Sequence, residues 1–311
     1  MDLPDAVPWA VLNKSHWSVI FMDFSLITYF LPLHDSAVLS ALAEFFTILA
    51  EDTIIILVGA FLYWCVDPKA GQRMAAVAVG GVFWTLGLKN FIKVPRPWDL
   101  GIIRKEQAIR AHTATGYSFP SGHTTAAVNI YGYFAMGAKK AVKLLLWALV
   151  ALVGLSRIFL GCHTSYDVLA ALVISIAWIY LGSFLFDKLM AKGDANIFWF
   201  AIPMGFAAIS LFTGIDDDIV KMCAFGGAAL IGIYVERRAV HFTPFGGKGA
   251  KALQYVLGLL VVVALKFWPY LIGEAFYETL WLKAIDYALI ALWLSCGYPY
   301  LLEKYRKNRA S

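Results

Sequence analysis

Residues 165–186 read SYDVLAALVISIAWIYLGSFLF, a run long enough to cross the hydrocarbon core of a bilayer, which takes about 20 apolar residues as a helix. Its single charged residue, Asp167, stands near the start. Just upstream, residues 144–161 read LLLWALVALVGLSRIFLG, a second such run whose one charge, Arg157, lies near its end. Both are expected to be helices, because a strand in lipid leaves its backbone edges unpaired. Two spans that keep ionisable side chains at their shared junction bear a cost that packing alone does not explain.

Runs of the same kind recur at 50–66, 74–93, 121–138, 196–213, 219–235, 252–272 and 279–301, making nine expected spans. Composition agrees. Of 311 residues, 60% are hydrophobic and 15% charged, with mean hydropathy +0.69, whereas soluble domains run nearer a quarter charged. An ordinary water-soluble enzyme is excluded. The net charge of +5 and pI near 8.9 would suit a nucleic-acid partner in a soluble chain. Here the basic residues gather in alternate gaps, 67–73, 139–143, 187–194, 236–251 and the tail 302–311, which is the positive-inside pattern, so those gaps are expected to be cytoplasmic and no nucleic acid is expected.

The opposite gaps carry Asp216, Asp217, Asp218, Glu274 and Glu278. One segment, 89–119, breaks the charge rule by placing Lys89, Lys93, Arg96, Arg104, Lys105 and Arg110 on the outer side, and anion binding would explain it. Residues 15–48, apolar but interrupted by Asp23 and Glu44, read as amphipathic segments at the outer interface, with a tenth span as the alternative. Cys65, Cys162, Cys223 and Cys296 stand singly, so neither a disulfide framework nor a metal site is expected. The first residues, Met1–Asp5, lack the basic region of a cleavable signal, and the spans themselves are expected to direct insertion.

Three stretches at expected outer span ends carry chemistry. In the first, Lys89-Asn-Phe-Ile-Lys-Val-Pro-Arg96-Pro97, the two cations lie about two helical turns apart and share a face if the helix continues to the prolines. Such a pair suits a phosphate, Arg offering a fork and Lys a point charge; snorkelling to headgroups produces the same pattern. The second, Tyr117-Ser-Phe-Pro120-Ser121-Gly122-His123, opens a span with a capping Ser, a Gly that permits close backbone approach and a His able to exchange a proton. Ordinary capping explains all but the His. The third, Ser156-Arg157-Ile-Phe-Leu-Gly-Cys-His163-Thr-Ser-Tyr-Asp167, sets a carboxylate four residues after an imidazole, beside it if both are helical. A carboxylate on one ring nitrogen fixes the tautomer and frees the other nitrogen as nucleophile or base.

Together the three stretches resemble the type 2 phosphatidic acid phosphatase superfamily, whose signature is K-x6-R-P, P-S-G-H and S-R-x5-H-x3-D. All eleven fixed letters are present, in order and at the family's internal spacings. The resemblance covers roughly residues 50–187. It implies that His163 is the nucleophile on phosphorus, that Asp167 orients it, and that His123 protonates the leaving oxygen and later takes a proton from water. Lys89, Arg96, Ser121, the Gly122 N–H and Arg157 would hold the phosphoryl oxygens, where the transition state spreads its charge. No metal and no cofactor are then required. Vanadium-dependent haloperoxidases share the motifs but are soluble, so the spans favour the membrane phosphatase branch.

The expected protein is thus an all-α polytopic helix bundle, with residues 1–187 as a phosphatase core and 188–311 as additional transmembrane helices of unknown role. The expected function is hydrolysis of a lipid phosphate monoester or diphosphate of the phosphatidate, phosphatidylglycerophosphate or undecaprenyl diphosphate type through a phosphohistidine. Sphingosine-phosphate or glucose-6-phosphate hydrolysis is the alternative within the family. A lipid transporter or scramblase using the same phosphate site is the rival from another class. The expected partners are the lipid substrate and membrane lipids, with homo-oligomerisation left open. The expected location is the plasma (inner) membrane, with the site on its extracytoplasmic face. The loop 98–116 reads as a solvated connector or a headgroup-recognising lid.

Overall fold

The computed structural model describes residues 25–209, 217–273 and 279–310. These are all-helical, as expected. In chain order the helices are α1 Ser25–Phe30, α2 Ala37–Ile48, α3 Asp52–Phe61, α4 Pro68–Ile92, α5 Gly122–Ala127, α6 Tyr133–Gly137, α7 Lys140–Phe159, α8 Ser165–Met190, α9 Ile202–Ala208, α10 Asp217–Val235, α11 Lys248–Ile272, α12 Leu280–Leu292 and α13 Tyr298–Ala310. A π-type turn, Val128–Gly132, joins α5 to α6, and others prolong α3, α10 and α12.

Local sequence sets the ends. Asp67 caps α4 by accepting from the Lys69 N–H at 2.9 Å, with Pro68 in the first turn where its missing N–H costs nothing. At the other end Lys93 turns left-handed at φ +57°, and Pro95 disfavours helix at the residue before it.

Among the described residues six helices are long and apolar enough to cross a membrane: Pro68–Ile92, Lys140–Phe159, Ser165–Met190, Asp218–Val240, Lys248–Trp268 and Leu280–Arg309. Ala37–Ile48 and Asp52–Val66 qualify only as a pair bent by 49°. The expected span 121–138 is a shorter helical run, and 196–213 opens as the tight 3-10 turns of Asp194–Ala201, followed by α9 and then residues outside the described set. Nine spans are compatible with this architecture but are not established by it. The expected interfacial segment 15–48 is partly outside the described residues. Its described part includes α2, which packs against α7 and buries Ala43 and Thr47 while exposing Val38 and Phe45. Outward-facing Leu144 and Leu145 on α7, and Leu253 and Leu260 on α11, are exposed too, as lipid contact requires.

The chain divides into two compact units, residues 1–51 with 88–177, and residues 52–87 with 178–311. In the first, Ile27, Ile103, Ala108, Ile158 and Val168 form one buried cluster and Ala43, Leu160 and Cys162 another. Ile103 and Ala108 belong to the loop 98–116, so that loop is anchored in the core and is not a purely solvated connector. In the second, Tyr63, Trp64, Phe242 and Tyr298 form an aromatic core, and Val79 and Phe83 pack on Ala207.

Candidate active site

All three motifs meet in the first unit. Helix α4 stops at Ile92, so Lys89 and Arg96 do not share a helical face as the spacing suggested. They converge all the same, because both reach the backbone of residues 115–117, which bends at Gly116. Lys89 Nζ donates to the Tyr117 carbonyl at 2.6 Å. Arg96 donates through Nη2 to the Thr115 carbonyl at 2.6 Å, through Nε to the Gly116 carbonyl at 3.0 Å and through Nη1 to the Cys162 carbonyl at 3.0 Å. Both side chains are buried. The loop between the first two motifs therefore supplies the carbonyls that aim the cations.

The Arg96 guanidinium also ties the first motif to the third. Its Nη1 lies 3.1 Å from His163 Nε2. A guanidinium only donates, so Nε2 accepts and the proton of the neutral ring resides on Nδ1. Nδ1 faces the Asp167 carboxylate, 3.5 Å from Oδ2. His163 precedes α8 rather than lying on it, so the pair is not an intrahelical i, i+4 contact. It is built by a capping box: the Thr164 N–H donates to Asp167 Oδ2 at 2.7 Å, and Thr164 Oγ1 accepts from the Asp167 N–H at 3.3 Å. Ser118 Oγ, fully buried, donates to the same Oδ2 at 2.7 Å and lies 3.5 Å from His163 Nδ1. The carboxylate is thereby fixed by two donors, the Thr164 N–H and the Ser118 hydroxyl, and the imidazole hangs from it.

The second motif opens α5. Ser121 is the cap, accepting from the Thr124 N–H at 3.4 Å and the Thr124 hydroxyl at 3.0 Å, and its own N–H donates to the Asp167 carbonyl at 3.0 Å. A methyl group added at Gly122 would meet nothing within 4 Å; there is open space beside the backbone where the helix starts. His123 is half-buried in the first turn of α5.

Arg157 is fully buried. Its Nη1 donates to Thr47 Oγ1 on α2 at 2.8 Å, while Nε and Nη2 have no hydrogen-bond partner among the described residues. Buried guanidinium N–H groups are costly to leave unmade, so this edge is suited to an anion that carries its own acceptors. Arg110, in the loop between the first two motifs, pairs with Glu51 at 2.8 Å.

The electrostatics follow from burial and from the excess of cations. Burial pulls Arg96 down to about 10, which leaves it charged at neutral pH. Burial, then the charges of Arg96, Lys89 and Arg157, push His163 well below the usual histidine range. The ring is thus neutral at neutral pH, with a lone pair on Nε2.

Every residue that the motifs singled out lies in this cluster. Three that matter to its geometry, Thr47, Ser118 and Thr164, were not singled out. Thr164 was findable, since Thr164-Ser-Tyr-Asp167 has the spacing of a capping box; nothing in the sequence links Thr47 to Arg157. Of the acidic residues in the outer gaps, Asp216 lies outside the described residues and Asp218 pairs with Lys221 at 2.6 Å.

An all-helical integral membrane protein with three buried cations around a His–Asp pair defines the class. The chain belongs to the PAP2 superfamily: that family matches residues 71–191, and the PAP2 superfamily phosphatase, transmembrane extension matches 220–310. Sphingosine-1-phosphate phosphatase 2 of Mus musculus is 30% identical over 235 residues, 69% of this chain and 63% of the relative. Lipid phosphate phosphatase delta of Arabidopsis thaliana is 23% identical over 158 residues, 45% of this chain and 38% of the relative. Phosphatidylglycerophosphatase B of Bacillus subtilis is 30% identical over 138 residues, 41% of this chain and 64% of the relative. The chain thus spans less than two thirds of each of these relatives. No solved structure matches it.

Proposed function

We propose that the protein is a membrane phosphatase that hydrolyses a lipid phosphate, and that His163 is its nucleophile. The observation that carries the reading is the His163 ring held with Nδ1 toward Asp167, which leaves Nε2 unprotonated; its contact with Arg96 opens as the phosphate takes the guanidinium. Nε2 attacks phosphorus and the phosphorus–oxygen bond to the lipid breaks. The departing alkoxide takes a proton from His123, whose protonated form the negative charge of the bound phosphate favours, and Asp167 stabilises the positive charge left on the phosphoimidazole ring. Water then attacks the phosphohistidine, giving its proton to the now neutral His123, and inorganic phosphate leaves with His163 restored. Lys89, Arg96, Arg157, Ser121 and the Gly122 N–H hold the phosphoryl oxygens, where negative charge is spread in the transition state. The unpartnered edge of Arg157 and the open space beside Gly122 support that role.

The site is expected on the extracytoplasmic face of the plasma membrane, supported by the basic residues of the opposite gaps. Among substrates, sphingosine 1-phosphate stands first, because the relative named for it aligns over the longest stretch, and phosphatidylglycerophosphate second. The test is phosphate release by the purified protein in chelator across these two, phosphatidate, undecaprenyl diphosphate and glucose 6-phosphate. Turnover of at least one lipid that vanishes in His163→Ala is the expected result. Lipid movement between leaflets that survives His163→Ala, with no hydrolysis by folded protein, would favour a transporter instead.

A further inference from the structure

The second unit holds a feature with no part in this chemistry: an apolar cavity of about 160 Å³ lined by α3, α4, α10 and α12. Its lining positions recur at helical spacing. On α4 they include Gly71, Ala75, Ala78 and Val82, one stripe along a single face. From Gly71 to Phe83, also in the lining, the helix rises about 18 Å, close to the hydrocarbon depth of one bilayer leaflet, about 15 Å. Gly59, Gly226, Ala229 and Ala291 face this stripe from the other helices, and their small size is what leaves a channel between them. Spread over that length, the volume is narrow.

Polarity is confined to the two ends. Tyr63, Gln72 and Ser295 close one of them, where the Tyr63 hydroxyl donates to the Ser295 carbonyl at 2.7 Å and Gln72 Nε2 donates to the Tyr63 hydroxyl at 3.4 Å. Asp52 and Tyr287 flank the other, and Asp52 is exposed. Water inside would find partners only at the ends, and apolar cavities stay dry. The solvent around these helices is hydrocarbon.

We propose that this cavity binds one unbranched hydrocarbon chain of a membrane amphiphile, with the polar head emerging at the Asp52–Tyr287 end. A cavity of this volume takes a group of about benzene's size, so it holds a segment of one chain rather than its whole length, and the apolar wall with lining positions strung along α4 favours an unbranched segment. The inference rests on the cavity and is independent of the proposed hydrolysis.

The test uses the full chain in lipid nanodiscs with two photoreactive probes, a phosphatidylcholine and a single-chain alkyl phosphate, each carrying a diazirine within one chain. Adducts are mapped by peptide mass spectrometry. The expected result is labelling at lining positions on at least two of the four helices, Ala78 and Ala229 among them, lowered several-fold by Ala78→Leu. Labelling by both probes identifies a bilayer lipid as a source, and labelling by the alkyl phosphate alone identifies a single-chain lipid; either supports the proposal. Labelling confined to outward-facing positions such as Leu253 and Leu260 with both probes would overturn it. So would lining adducts that persist unchanged in folded Ala78→Leu. Should that variant fail to fold, Ala229→Leu replaces it, and the wild-type map is decisive without either.

Discussion

Two buried polar networks in this chain are built to opposite ends. In the second unit, Glu236 accepts from the Phe242 N–H at 2.8 Å and from Gln72 Nε2. Gln72 Oε1 accepts from Arg237 at 3.3 Å, and Arg237 pairs with Asp194 at 2.7 Å. Each carboxylate oxygen of Glu236 has a partner. In the first unit, Lys89, Arg96 and Arg157 are buried around one carboxylate, and Arg157 Nε and Nη2 have no acceptor among the described residues. A closed network fixes a fold, because every member is satisfied by the protein itself. One with surplus donors is complete only with an anion. The comparison separates what holds the protein together from what it acts with: Arg237 and Asp194 of the first network reach partly into the open, whereas all three cations of the second are buried.

That contrast can be broken or sharpened by substitution. Arg157→Ala removes the unpartnered donors and should lower kcat/KM by about 10²–10³-fold, with little rescue by Arg157→Lys, which lacks the planar fork; equal activity in wild type and alanine variant would sink the surplus-donor argument. The acid limb of kcat/KM should lie well below the ordinary histidine range, since attack needs neutral His163 and burial with three cations resists its protonation. Arg96→Gln removes one of those charges and should move the limb to higher pH. An unmoved limb would mean that another group governs it.

Thr47→Val is a smaller perturbation. It keeps the shape but deprives Arg157 Nη1 of its acceptor, so kcat should fall about tenfold, with recovery in Thr47→Ser. A loss confined to thermal stability would make Thr47 merely structural. Glu236→Gln should affect catalysis least, leaving activity per folded molecule unchanged while lowering stability by about 1–3 kcal/mol, read as a drop in Tm. Loss of turnover in folded Glu236→Gln would show that the closed network serves the reaction too.

Much of this was legible in the sequence. Apolar runs located the helices because lipid leaves the backbone no other way to satisfy its hydrogen bonds, and the three motifs named the polar residues of the site. Geometry was less legible where it depends on how a helix ends. Spacing put Lys89 with Arg96, and His163 with Asp167, on helical faces, whereas Lys93 and Pro95 end the first helix early and Thr164 begins the other one late. Both pairs still meet, through loop carbonyls in one case and a capping box in the other. Thr47 escaped because its contact with Arg157 spans 110 residues and no periodicity reaches that far. The lengths of the spans also proved hard to read, since composition marks a run as apolar without saying whether it is one straight helix or a pair bent at Leu49–Glu51.

The central claim is that phosphorus is transferred to His163. Rapid acid-free quenching of the detergent-purified protein during turnover of a radiolabelled lipid phosphate, followed by peptide mapping, tests it directly. The account predicts a base-stable, acid-labile phosphoryl group on His163 Nε2, which accumulates in His123→Ala when a substrate with a good leaving group is used and is absent in His163→Ala. Steady turnover with no phosphorylated histidine, or hydrolysis that persists in His163→Ala, would contradict it.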